Sequence, residues 1–217
     1  MKRIWIYIAC LLAGAAAWNG AAACAQTDIA ASIDGAFSGT ATSGVDRQSP
    51  SNSAGGLLEV RRIDSSLMGI EAAYSYNRAN QVYSYTVPIG LPCPPPGGCY
   101  ARPIAVSANA HAITGDWVVS RKMRNFRPFA LAGGGLLLVI PSSGQKYTST
   151  AAEFLFVLGA GLDWKLSSHI GLRLQYRENI YKAPQLLSTE IYPLASPRPP
   201  NVYTYTQEPA LGVYYRF

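Results

Sequence analysis

The 217 residues contain two histidines, His111 and His169, so nucleophilic or acid–base chemistry driven by an imidazole has to run through one of them. His169 closes the run "SSH", with Ser167 and Ser168 beside it, a composition that a tight turn uses as readily as a hydrolase does. His111 lies in "ANAHAIT" on the face of Ser107 and Asn109, where it is expected to hydrogen-bond inside a lumen. The glycine runs "AGGGLL" and "GAGLDW" would cradle a phosphate only between a strand and a helix N-terminus, and nothing helical follows either one. No His, Cys or carboxylate cluster has metal-ligand spacing, and no cofactor is expected.

The more informative side chains are ions embedded at alternate positions of otherwise apolar stretches. Asp34, Glu59, Glu71 and Asp163 stand against Arg61, Arg173, Arg177 and Arg216, four acids facing four bases. Isolated charges of this kind, with Gly69, Gly159, Gly161, Gly171 and Gly212 between them to make room for long arginines, suit hydrogen-bonded pairs inside a closed sheet. The alternative is a narrow ion pathway lined by the same charges.

Such pairs need elements that send every second residue inward. Period-2 segments recur along the chain and helix periodicity is missing, which predicts eight strands. They begin with "DIAASIDGAFSG", "GGLLEVRRI" and "LMGIEAAYSYNR". Next comes "IAVSANAHAITGDWVVS", whose alternation slips near Gly115 and suggests a bulge. The rest are "FRPFALAGGGLLLVI", "AAEFLFVLGAGLDWKL", "IGLRLQYRENIY" and "YTYTQEPALGVYYRF". The connections run long, tight, long, tight, short, tight, long. An up-and-down sheet with one clipped end and one ornate end has that spacing.

The N-terminus supplies the compartment. Lys2 and Arg3 precede an apolar run from Ile4 to Trp18 and the small residues Ala23-Cys24-Ala25, the pattern of a secretory signal peptide spanning residues 1–25. A competing reading takes "AAAC" as a lipoprotein box with Cys24 acylated, although Ala21 stands where that box prefers a larger aliphatic residue. Cleavage leaves residues 26–217 as one domain and lowers the net charge from +6 to about +4. The remaining bases are scattered, so no nucleic-acid partner is expected. Cys93 and Cys99 are then an even pair in an oxidising compartment, which favours a disulfide.

A soluble sandwich would also alternate. Here, however, the less apolar face mixes Gly and Ala with isolated ions and lacks the lysines of a solvated sheet. The apolar face carries aromatics near strand ends: Tyr76, Phe129, Trp164, Tyr176, Tyr215 and Phe217. Aromatic belts at two rims fit a barrel whose apolar residues face lipid, and in hydrocarbon only closure pairs every strand. The predicted fold is an all-β, eight-stranded antiparallel up-and-down transmembrane β-barrel.

The closing stretch "ALGVYYRF" presents Leu211, Val213, Tyr215 and Phe217 on one face and stops on the aromatic. Here the chain resembles the small outer-membrane β-barrel family that includes the transmembrane domain of outer membrane protein A and the opacity-type proteins. The resemblance implies residence in the outer membrane of a Gram-negative-type bacterium, contact with its lipid, and a C-terminal strand read by the barrel-assembly machinery. With the chain stopping at Phe217, the peptidoglycan-binding domain that some relatives carry is not expected. Enzymes of similar barrels act on lipid A or phospholipid, but the chain has no His-x-Ser-Asn run like that of the lipid A deacylases. An extracellular ligand is expected at the Pro- and Tyr-rich loops Val82–Arg102 and Lys182–Tyr205. The expected role is structural or surface interaction, with a small-solute pore and a lipid-modifying enzyme as alternatives.

Overall fold

The computed structural model describes residues 26–44, 46–64, 67–85, 103–142, 144, 148–187 and 201–217. The proposed signal segment 1–25 and both Cys93 and Cys99 lie outside the described residues. Twelve strands run in chain order: β1 Gln26–Ser38, β2 Ala41–Ser43, β3 Asp46–Pro50, β4 Ser53–Ile63, β5 Met68–Arg78, β6 Gln81–Tyr85, β7 Ile104–Val106, β8 Ala108–Ser120, β9 Phe126–Pro141, β10 Ala151–Lys165, β11 Ile170–Lys182 and β12 Tyr203–Arg216.

Eight of them, β1, β4, β5 and β8 to β12, close into an antiparallel barrel in which β12 pairs with β1, Val213 opposite Ala31 and Tyr215 opposite Ile29. No described residue is helical. Closure leaves no free edge in the wall, so every strand finds a neighbour for its backbone groups without water. The strand ends at Ile63 and Met68, Ser120 and Phe126, and Lys165 and Ile170 gather at the same end as Gln26 and Phe217. At that end Phe217 N donates to Thr27 O and Arg216 N to His169 O.

The remaining four strands correct the expectation of plain loops at the other end. β1, β4, β5 and β8 each continue, across one or two residues outside the strands, into β2, β3, β6 and β7, which form a second sheet in the order β2-β3-β6-β7. One half of the barrel wall therefore projects beyond its rim. The expected fourth strand is two strands broken at Ser107. Its expected slip at Gly115 does not occur: pairing runs unbroken past Gly115 on both sides, opposite Ala72 and Gly134.

Side-chain orientation inverts that of a soluble protein. Ile33, Phe154, Leu174, Val213 and Phe217 project outward and are 51–85% exposed, whereas Arg61 and Arg173 inside are 0% exposed. A continuous apolar surface of that extent on a single chain requires an apolar environment. Phe129 corrects the expected aromatic face: it points inward and is buried, because β9 is apolar on both faces and its phase is set by Arg61 across the lumen.

Candidate functional site

The lumen is crossed by one chain of alternating charges. Asp28 on β1 accepts from Arg173 on β11 at 2.8 Å, and Arg173 also reaches Asp163 on β10 at 2.8 Å. Asp163 is 3.3 Å from Arg61 on β4, whose guanidinium lies 2.6 Å from Glu71 on β5. Glu71 accepts from Arg177 at 3.0 Å, and Arg177 reaches Asp116 on β8 at 2.9 Å. Glu59 is held by Gln175 at 2.9 Å and lies 3.6 Å from Arg173. The two strands that give no ion to this chain give rings. Phe129 on β9 lies under Arg61 with 3.9 Å to the centroid, and Tyr214 on β12 faces Arg173 at 5.6 Å. The network thus ties all eight wall strands together across the barrel. Buried charges are tolerated only when paired and hydrogen-bonded in this manner.

Two of the eight ions singled out from the sequence stand apart. Among the described residues neither oxygen of Asp34 has a hydrogen-bond partner, and Arg216 sits at the rim against the Tyr214 ring, 5.1 Å from its centroid. Four buried ions were not anticipated: Asp28, Asp116, Arg127 and Glu208. Counting back by twos from Tyr214 reaches Glu208, so its face was readable. Asp116 was hidden by the mistaken slip at Gly115. The glycines also serve differently from the expectation. A side chain at Gly161 would strike the Phe129 ring and one at Gly171 the Tyr214 ring, so these two make room for the aromatic plates under the arginines rather than for the arginines themselves.

His111 is not a lumen residue. It lies on the outer wall, where its Nδ1 shares a hydrogen bond with Tyr74 Oη at 2.8 Å and its ring stands 5.1 Å from that of Tyr76. Ser107, Asn109 and His111 alternate with the buried Val106, Ala108, Ala110 and Ala112, so this polar row lies on the outer face. His169 occupies the turn between β10 and β11, stacked on Tyr215 at 6.0 Å and hydrogen-bonded to Ser168 at 2.7 Å. Leu211, Val213, Tyr215 and Phe217 all face outward, and Tyr215 meets Phe217 edge-on at 5.1 Å.

Above the network the lumen narrows to a chamber of about 20 Å³, bordered by Asn77, Asn179, Thr206 and Glu208. Its roof is a strap, Ala183–Leu187, that crosses from the end of β11 to the inner face of the projecting sheet. Tyr83 Oη donates to Pro184 O at 3.0 Å, Gln48 Nε2 donates to the same oxygen at 3.1 Å, and Leu186 N donates to Tyr83 Oη at 3.4 Å. Ser149 N donates to Leu186 O at 2.9 Å, which fixes the strap to the connection between β9 and β10. Tyr83, Val106, Ala183 and Leu186 are buried together. Burial pushes the Tyr83 phenol well above its ordinary range, partly offset by the Leu186 amide. The strap roots the two Pro- and Tyr-rich loops, of which residues 86–102 and 188–200 lie outside the described residues.

No protein-family model matches the chain, and no curated protein matches it in sequence. Solved structures do match in fold. The outer membrane protein OprG from Pseudomonas aeruginosa is similar at a TM-score of 0.58 and 10% identity, over 88% of this chain and 95% of that one. The attachment invasion locus protein Ail of Yersinia pestis, in complex with the heparin analogue sucrose octasulfate, is similar at 0.52 and 15% identity, over 89% and 99%. Neisserial surface protein A gives 0.50 and 12%, over 89% and 97%. The chain has the closed eight-stranded fold of the small outer-membrane β-barrels.

Proposed function

We propose that the protein resides in the outer membrane, with its lumen closed to solutes, and acts as a structural or surface-contact protein through the loops at Val82–Arg102 and Lys182–Tyr205. The observation that carries this reading is the join between the roots of those loops. Tyr83, at the start of one, holds Pro184 and Leu186, at the start of the other, so the two spring from one root. Their sequences are rich in Pro and Tyr and poor in charge, with Arg102, Lys182, Glu190 and Arg198 as the only ions. That composition favours contact by rigid rings over attraction to a polyanion. A Cys93–Cys99 bond, proposed from the sequence, would stiffen the first loop further.

Closure of the lumen is supported by the chain of ions from Asp28 to Asp116 and by the narrow bore of an eight-stranded barrel. In planar bilayers the folded protein should give a flat current trace, and steady unitary steps would favour the small-solute pore instead. The outward row Leu211, Val213, Tyr215 and Phe217 is proposed as the signal read by the barrel-assembly machinery. Topology is tested by two epitopes. One placed between Leu91 and Pro92 should be labelled on intact cells, and one in the turn at Lys122–Asn125 only after permeabilisation. The reverse pattern would overturn the reading.

A further inference from the structure

Among the described residues the buried carboxylates of the lumen outnumber its buried guanidiniums by three, and two of these acids, Asp34 and Glu208, stand close to each other. Glu208 is 2% exposed; among the described residues the side chains of Asn77, at 3.4 Å, and Asn179 hydrogen-bond to it, and no guanidinium is in ion-pair contact. It borders the 20 Å³ chamber together with Asn179, Thr206 and Tyr181. A second observation is independent of the acids. Asn179 is 5% exposed, lines the same chamber, and its Oδ1 has no hydrogen-bond partner. A buried amide oxygen without a donor is costly, and so is a buried carboxylate without a cation. One guest relieves both.

We propose that the chamber is a binding site for a single alkali cation of about the size of a water molecule, held by the Glu208 carboxylate and Asn179 Oδ1. The volume admits one water-sized body and excludes a hydrated divalent ion. Oxygen is the donor that hard cations take, and the side chains around the chamber carry it as carboxylate, amide and hydroxyl. One carboxylate with neutral oxygens matches a single positive charge. The hydroxyls of Ser38, Thr206 and Tyr181 hydrogen-bond to one another at 2.6 and 2.7 Å, and their protons can turn away from a cation without leaving that row. With the strap above and Arg177 below, entry occurs during folding or when the strap opens. This site is independent of the surface role proposed above.

The test refolds residues 26–217 into detergent in sodium, potassium or N-methylglucamine chloride at equal ionic strength. The temperature at which the heat-modifiable gel band is lost is then compared. Sodium or potassium should raise it by on the order of 3 °C over N-methylglucamine. Glu208→Gln, which keeps the shape and removes the charge, and Asn179→Ala should each abolish the difference. If Glu208→Gln does not fold, Asn179→Ala alone decides. No difference in the wild type, or an undiminished one in the folded variants, overturns the proposal. So does an infrared carbonyl band of a neutral carboxylic acid at neutral pH that disappears in Glu208→Gln, because a proton then occupies the place of the cation.

Discussion

The guanidinium of Arg61 lies 3.9 Å from the centroid of the Phe129 ring while its edge donates to Glu71 and Asp163. One face of the cation is thereby covered by a π-surface and its rim is paired with two carboxylates. Phe129→Ala should lower the unfolding free energy by about 3–5 kcal/mol, because it opens a cavity and uncovers the cation. Gly161→Ala, which pushes against the same ring, should cost about 1–3 kcal/mol. Urea titration of the folded band in detergent measures both.

Arg173 pairs with Asp28 at 2.8 Å and also holds Asp163. Arg173→Met strands Asp28 in the lumen and should cost about 3–5 kcal/mol. Adding Asp28→Leu removes the stranded charge and should return part of the loss, whereas Asp28→Leu alone leaves Arg173 its contacts with Asp163. A double-mutant cycle with a clearly non-zero coupling is the expected outcome; additive losses would show that the two residues act separately.

The strap predicts an alkaline transition at the roofed end. Burial holds the Tyr83 phenol neutral beyond its ordinary pH range, so the folded state keeps a proton that the opened state releases. The contribution of Tyr83 is therefore complete below about pH 10, the ordinary value for tyrosine, and is lost as pH rises further. Hydrogen exchange of the Leu186 amide, measured against barrel amides in β10, should accelerate over that range in the wild type. In Tyr83→Phe it should already be faster at neutral pH, with the alkaline step removed.

Leu174 and its neighbour Gln175 face opposite sides of β11, 58% and 2% exposed. Leu174→Arg should destabilise the protein in lipid vesicles by about 2–4 kcal/mol, the depth-dependent cost of a cation against acyl chains. The same change on a water-facing sheet would be nearly neutral. Folding titrations in vesicles decide between these outcomes.

How much of this was readable depended on whether a strand carried its own phase. In β5, Ile70, Ala72, Tyr74 and Tyr76 alternate with Gly69, Glu71, Ala73, Ser75 and Asn77, and the structure sends the first row out and the second in. In β9 the run "FALAGGGLLLVI" is apolar or small on both faces, so nothing local says that Phe129 points inward; its partner Arg61 is distant in sequence. β8 reads apolar through Trp117, Val118 and Val119, so the phase that buries Asp116 and turns the half-buried His111 outward has no local mark. The strap "APQLL" has no period at all. It is ordered by Tyr83 and Gln48, which stand on strands too short and polar to read as such, and only tertiary pairing reveals them.

The alternation itself can be measured residue by residue. With Cys93 and Cys99 replaced by serine, single cysteines at Phe156, Val157, Leu158, Leu174, Gln175 and Tyr176 carry a fluorophore in lipid vesicles that contain brominated acyl chains. The barrel requires strong quenching at Phe156, Leu158, Leu174 and Tyr176 and little at Val157 and Gln175. Quenching that ignores this two-residue period, or that follows it in the opposite phase, would contradict a sheet with its apolar side against lipid and its ions within.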